Sequence, residues 1–241
     1  MSSDATPPAW PVLSMIERRL LGVLVEKAKT TPEAYPLSVN ALTTGSNQKS
    51  NRDPVMNLGD DEVEEALTAM QPRGLVTRIT GGRVERWKHN LYSLWDVNKV
   101  DLAVLAELLL RGPQTEGELR GRASRMEPID DLDALRQVLK PLAERRLVVF
   151  LGPENRRGTL ITHGFHAPRE VEVLRLRSQA DEPAAPAPAA PRGPDQLATL
   201  EANYRQVTEE VAALRSQVQQ LQAALDQVRG QVQGLKDALG G

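Results

Sequence analysis

Two stretches decide the fold: residues 60–94, DDEVEEALTAMQPRGLVTRITGGRVERWKHNLYSL, and residues 130–162, DDLDALRQVLKPLAERRLVVFLGPENRRGTLIT. Each opens on acidic residues and continues with apolar side chains at helical spacing: Val63, Ala66, Leu67 and Met70 in the first, Leu132, Leu135, Val138, Leu139 and Leu142 in the second. Such a stripe predicts a helix with one buried face. Asp60 is the expected cap of the first helix, and Gly74 its end. Pro141, inside the second, predicts a kink or an altered register. Each helix then passes through a matched junction, Arg73-Gly74-Leu75-Val76 or Arg145-Arg146-Leu147-Val148, into two apolar runs around a turn. Residues 75–80 and 84–94 read as strands about Gly81-Gly82, and 147–151 and 159–162 as strands about the loop 152–158.

Working outward, each hairpin unit is preceded by two more helices. Ser14-Met15-Ile16-Glu17 is a capping box, and Leu20, Val23 and Leu24 carry its helix to about Ala28. A proline-bearing loop, 31–36, leads to a short helix over 38–44 and then to the polar loop 45–54. In the second copy a helix over 102–110 closes at Gly112-Pro113, and Thr115-Glu116-Gly117-Glu118 caps a short helix to about Arg122. Three helices followed by a two-stranded wing is the winged-helix order. The expected fold class is therefore mainly α with small β wings: two tandem winged-helix domains, 13–96 and 97–177, after a flexible arm over 1–12. Trp10 is expected to pin that arm. Trp87, Tyr92 and Trp95 are placed on strands, with Trp87 and Trp95 on the face opposite Tyr92.

The chain then changes character. Residues 181–194, DEPAAPAPAAPRGP, carry five prolines and predict an extended spacer within a linker over 178–196. Over 197–239, Leu200, Val207, Val211, Leu214, Val218, Leu221, Leu225, Val228, Val232 and Leu235 belong to an unbroken 3,4 seam. A period of 3.5 residues is that of a coiled coil. Valine at a with leucine at d (Val211, Val218 and Val232 with Leu214, Leu221 and Leu235) favours a parallel dimer. The expected assembly is a homodimer. The alternative is an amphipathic helix folded back on the globular part.

Composition bounds the chemistry. There are 30 basic and 32 acidic residues, a net charge of −2, so no global field draws the chain to nucleic acid or to an anionic membrane. The absence of cysteine excludes disulfides, thiolate nucleophiles and cysteine metal sites. No apolar run approaches the roughly 20 residues of a spanning helix, and residues 1–12 do not resemble a signal peptide. The expected compartment is the cytoplasm. No phosphate-cradling glycine loop or hydrolase motif occurs. His163 and His166 stand three apart at an expected strand end with no accompanying carboxylate ligands. The expectation is a non-enzymatic protein without metal or cofactor.

The run Leu24-Val25-Glu26-Lys27, Thr30-Thr31-Pro32, Tyr35-Pro36-Leu37-Ser38-Val39-Asn40-Ala41-Leu42 and Asn47-Gln48-Lys49-Ser50-Asn51-Arg52-Asp53-Pro54-Val55-Met56 resembles the YceH family of uncharacterised bacterial proteins. The resemblance covers roughly residues 13–175 and implies tandem winged helices, with no catalytic residues. Many members carry a cysteine just before the Asn-Gln-Lys-Ser run. Here that position is Ser46, so a thiol role is impossible in this chain.

Two surfaces are candidates for binding DNA or a partner. In the loop, Asn47, Gln48 and Asn51 could meet adenine edges, while Lys49 and Arg52 could hold phosphate. The same residues are also turn formers that bond local backbone. In the wings, Arg78, Arg83, Arg86 and Lys88 flank Trp87 in the first copy, and Arg156 and Arg157 stand in the second. Against DNA reading, the third helices begin Asp60-Asp61-Glu62 and Asp130-Asp131, where a groove-reading helix would meet phosphates with like charge. Two functions follow: a dimeric DNA-associated or regulatory protein, or a protein-interaction adaptor on the same scaffold. The tail gives its own prediction. A peptide of residues 195–241 will be helical and dimeric at micromolar concentration by circular dichroism and light scattering, and an unfolded monomer would refute the seam.

Overall fold

In the computed structural model, five helices start on side-chain caps, each satisfying backbone N–H groups that a helix end leaves unpaired. The structure describes residues 10–180 apart from Arg83, Asn155 and Arg157. Ser14 and Glu17 form the capping box of α1 (Met15–Thr30), and Ser38 accepts from Ala41 N–H at the start of α2 (Val39–Ser46). Asn98 and Asp101 box the start of α5 (Lys99–Arg111), Thr115 and Glu118 that of α6 (Glu116–Ala123), and Asp131 caps α7 (Leu132–Glu144). The helix α3 (Asp60–Met70) differs from expectation. Gly59 holds the cap position, its N–H bonded to Glu62 Oε2 at 2.8 Å, while Asp60 is already helical and accepts from the Thr43 hydroxyl.

The described residues are mainly helical, with two small antiparallel sheets. Strands β1 (Val76–Ile79) and β2 (Arg86–His89) pair with Arg78 opposite Trp87. Strands β3 (Gln114–Thr115), β4 (Val148–Phe150) and β5 (Leu160–His163) form a sheet of order β3-β5-β4. The element order recurs down to individual bonds. Leu37, just before the α2 cap, exchanges N–H···O bonds of 3.1 and 2.7 Å with Trp87, and Gln114, just before the α6 cap, pairs with Ile161. After α3 and α7 the chain reverses through Gly74 (φ 73°) and Arg146 (φ 58°). Leu75 N–H then bonds Met70 O and Leu147 N–H bonds Leu142 O. Positive φ suits glycine and strains arginine, so Arg146 marks a reversal retained without the residue that favours it.

The second strand of the first hairpin is shorter than its apolar pattern suggests. It stops at His89, although the pairing reaches one residue further through Asn90 N–H to Leu75 O: Asn90 (ψ 19°) leaves the extended conformation, its carbonyl accepts from Leu94 N–H to open a helical turn, and its side-chain amide bonds Gly74 O and Thr77 Oγ1. Residues Leu91–Leu94 are a single helical turn, α4, so Tyr92 and Trp95 are not strand residues. Trp87 and Trp95 are nonetheless buried and Tyr92 exposed. In α7, Leu135, Leu139 and Leu142 point inward, but Leu132, the first helical residue, is exposed. The helix runs on through Pro141 to Glu144. Residues 168–180, to which the apolar pattern assigns no element, form α8 (Pro168–Ala180).

One continuous core runs from Leu13 to Phe165. Its axis is the pair α1 and α5, each with nine consecutive buried residues, Glu17–Val25 and Leu102–Leu110. A helix buried on every side is wrapped by neighbours all round. Their backbones approach at Gly22, where an added Cβ would stand 2.7 Å from Leu110 Cγ. At the far end Trp95 stacks on Phe165 at 4.4 Å, Trp10 meets the edge of Phe165, and Trp10 Nε1 donates to Arg145 O at 2.7 Å. No helix among the described residues is long and apolar enough to cross a membrane. The spacer and heptad seam lie outside the described residues.

The glycines make a graded stability test. An added Cβ at Gly164 would stand 1.8 Å from the Arg146 carbonyl oxygen, a backbone atom, while Gly117 in α6 has nothing within 4 Å. Gly164→Ala will prevent folding or lower the melting temperature most. Gly22→Ala, facing a side chain that can give, will cost about 1–3 kcal/mol. Gly117→Ala will stabilise by roughly 0.5–1 kcal/mol. Thermal melts of the three variants check the order.

Candidate functional site

The loop between α2 and α3 turns its polar side chains onto its own backbone and onto α1. The Asn47 amide clasps Leu58 from both ends, Nδ2 donating to Leu58 O and Oδ1 accepting from Leu58 N–H, each at 2.8 Å. Asn51 takes a left-handed conformation (φ 62°) and its Oδ1 accepts from Arg111. Arg52 is buried. Its guanidinium donates to Gly45 O and meets both oxygens of Glu26 at 3.1 and 2.5 Å. Asp53 N–H bonds Leu110 O of the second copy. Asn47, Asn51 and Arg52 therefore hold the loop, whereas Gln48 is half-buried and Lys49 exposed.

The hairpin of β1 and β2 presents its charges outward. Arg78 pairs with Glu85 and lies 5.8 Å over the Trp87 ring, Arg86 donates to Pro36 O at 2.7 Å, and Lys88 is exposed. Trp87 itself is 1% exposed, a core residue. Between β4 and β5 Arg156 is exposed. Arg83 and Arg157 lie outside the described residues. The third helices keep their acidic fronts: Asp60, Asp61, Glu62, Glu64 and Glu65 on α3, and Asp131 and Asp133 on α7, are all exposed. In α7 the next basic residue, Arg136, is tied to Glu116 at 2.8 Å and to Asp133 at 3.0 Å.

A third group of residues, of which the sequence picks out only His163 and His166, meets where α1, the end of α5, β5 and α8 converge. Arg18 donates to His166 Nδ1 at 2.5 Å and to Glu170 Oε1 at 2.8 Å. Since a guanidinium only donates, the His166 proton sits on Nε2, which faces Thr162 Oγ1 at 2.9 Å. His163 stacks on His166 with ring centres 3.9 Å apart, and its Nδ1 accepts from Phe165 N–H at 3.2 Å. Burial, helped by the charge of Arg18, pulls the pKa of His166 down to about 4, and burial drives that of His163 well below the ordinary histidine value. Both rings are neutral at pH 7. Arg19 donates to Ser46 O at 2.8 Å and Pro54 O at 2.5 Å. Burial, then the neighbouring charge of Arg52, pulls its pKa down to about 10. The available signal was two arginines directly preceding the apolar run Leu20–Val25 of α1. Glu26, further along α1, is the partner of Arg52. Among the described residues no group of three or more histidine, aspartate or glutamate side chains could hold a metal.

Comparison with known proteins places these features in a lineage. A family described as "Protein of unknown function, DUF480" matches residues 13–157, more than half of the chain. UPF0502 protein azo0627 of Azoarcus sp. (strain BH72) is 43% identical over 213 residues, covering 88% of this chain and 93% of the relative. UPF0502 protein RB6530 of Rhodopirellula baltica is 46% identical over 180 residues, 73% of this chain and 76% of the relative. UPF0502 protein GSU0233 of Geobacter sulfurreducens is 53% identical over 135 residues, 56% of this chain and 62% of the relative.

The bonds of Arg52 make its removal a structural event. Arg52→Ala strands Glu26 against α1, and losing one partner of such a pair costs about 3 kcal/mol or more. Lys49→Ala, on the exposed side of the same loop, will change stability by less than about 0.5 kcal/mol. Urea denaturation separates the two, and equal midpoints would show that the Glu26 contact is not maintained in solution.

Proposed function

The chain belongs to the DUF480 family, and from that premise we propose that it is a non-enzymatic scaffold of two tandem winged helices, spanning 13–96 and 97–177, that docks a protein partner. The observation carrying this reading is the exposed acidic front of α3, five carboxylates within its first six residues. In a DNA-reading winged helix that end enters the major groove. Here it would set carboxylates against phosphates, a repulsion that a net charge of −2 does nothing to offset. The acidic front suits a basic segment of another protein, where opposite charge raises the association rate and fixes orientation. The heptad seam over 197–239 would pair two scaffolds and raise their avidity for a repeated partner. A cytoplasmic setting fits a chain with this composition.

A DNA-associated reading has its own support in the first wing, where Arg86 and Lys88 are exposed beside Arg78, and Arg83 adds a further charge to the turn. Wing contacts to phosphate would position the protein without reading bases. Fluorescence anisotropy of the full chain on random duplex DNA across a salt series separates the readings. The scaffold predicts no saturable binding at low salt, together with loss of a reproducibly co-purifying partner on Asp60→Lys with Asp61→Lys. Tight binding that falls steeply with salt, and weakens when Arg83, Arg86 and Lys88 become alanine, would replace it with the DNA reading.

A further inference from the structure

The convergence of α1, the end of α5 and α8 encloses a cleft of about 540 Å³, the size of a small-molecule site. Its apolar wall includes Met15, Leu108, Leu109, Val173 and Leu174. Five guanidiniums line it, those of Arg18, Arg19, Arg111, Arg169 and Arg177, against two carboxylates, Asp53 and Glu170. Arg18 is neutralised by Glu170 and Arg111 by Glu107, each at 2.8 Å. Arg19 is not. It is 1% exposed, its acceptors are neutral carbonyls, and its Nε has no acceptor. Its charged neighbours are Arg52, which repels it, and the exposed Asp53. His163, 2% exposed, also lines the cleft. Its Nδ1 accepts from Phe165 N–H. A guanidinium N–H buried without an acceptor, on a cation whose nearest carboxylate is exposed, is costly to maintain.

We propose that this cleft binds an amphipathic organic anion, with a carboxylate or phosphate head answering the unneutralised arginines and an apolar body lying along Met15, Leu109 and Val173. The proposal goes beyond the scaffold reading and does not depend on it. Met15 and Val173 are about half exposed, 51% and 46%, at the rim, where an apolar tail would cover them. Arg169 and Arg177 are exposed on α8 and can close over the head.

Isothermal titration of the full chain with decanoate and decyl phosphate, kept below micellar concentrations, tests it. Decanol and inorganic phosphate supply the tail and the head alone. Both anions are expected to bind once per chain, and each control at least about tenfold more weakly, since a hydrogen-bonded charge is worth that factor or more. Arg169→Ser with Arg177→Ser should weaken decyl phosphate about tenfold. Val173→Asp should abolish binding. All three positions are exposed on α8, so melting temperatures should match the parent. Sedimentation with phosphatidylglycerol vesicles that Val173→Asp removes would assign the head and tail to a bilayer lipid, while binding of the monomeric anions alone would assign them to a soluble ligand. No heat with either anion, decanol binding as tightly as decanoate, or variants indistinguishable from the parent would overturn the proposal.

Discussion

The contact of α1 with α5 at Gly22 is the constraint on which the rest of the described structure depends. Without a Cβ at that position, Leu110 and the Ala106 carbonyl of α5 come within the space a side chain would take. The two helices can then share one apolar interior, and each is buried on every side. Close packing at interior density rewards this arrangement, but it also brings polar groups into the junction. Each of those groups needs a partner, because a buried donor or charge without one is expensive.

The partners come from segments that composition alone marks as loops. Arg52 leaves the α2–α3 loop to meet Glu26 on α1, and Asp53 N–H meets Leu110 O. Arg145, at the end of α7, donates to the carbonyls of Trp95 and Asp96, while its own carbonyl accepts from Trp10. Side chains suited to contacting bases and phosphates are thereby turned into internal clamps. The polar surface left exposed is then set by what these clamps do not consume: the acidic front of α3, the basic hairpin of β1 and β2 and the arginine-lined cleft beneath α8.

Several local features were legible from residue order. The capping boxes at Ser14 and Thr115 are short-range signals, since the bonded atoms lie within three residues of each other, and they stand where the pattern puts them, whereas the cap at Asp131 was not marked by it. The hairpins were legible too, although the strand ending at His89 was not. An apolar run of Leu91, Tyr92, Leu94 and Trp95 suits a strand as well as a helical turn, and Asn90 decides between them, its side-chain amide held by Gly74 O across the hairpin while its carbonyl accepts from Leu94 N–H. Similarly, a cap and a first helical turn share the same residue preferences, which is why Asp60 and Gly59 exchange places.

The sequence by itself determined most of the helices, the capping boxes at Ser14 and Thr115 and the small hairpins, together with the family, because these rest on periodicity, short-range hydrogen bonding and residue identity. The tertiary structure alone decided which polar residues are consumed and which are left over. Arg52 and Lys49 are three residues apart in one polar loop, yet one is sealed against Glu26 and the other faces water. Arg18 and Arg19 are adjacent, yet one finds a carboxylate and the other only carbonyls. The reason is that desolvation and charge pairing depend on neighbours from distant parts of the chain, Glu170 for Arg18 and Pro54 for Arg19, and no local pattern encodes which of them will arrive.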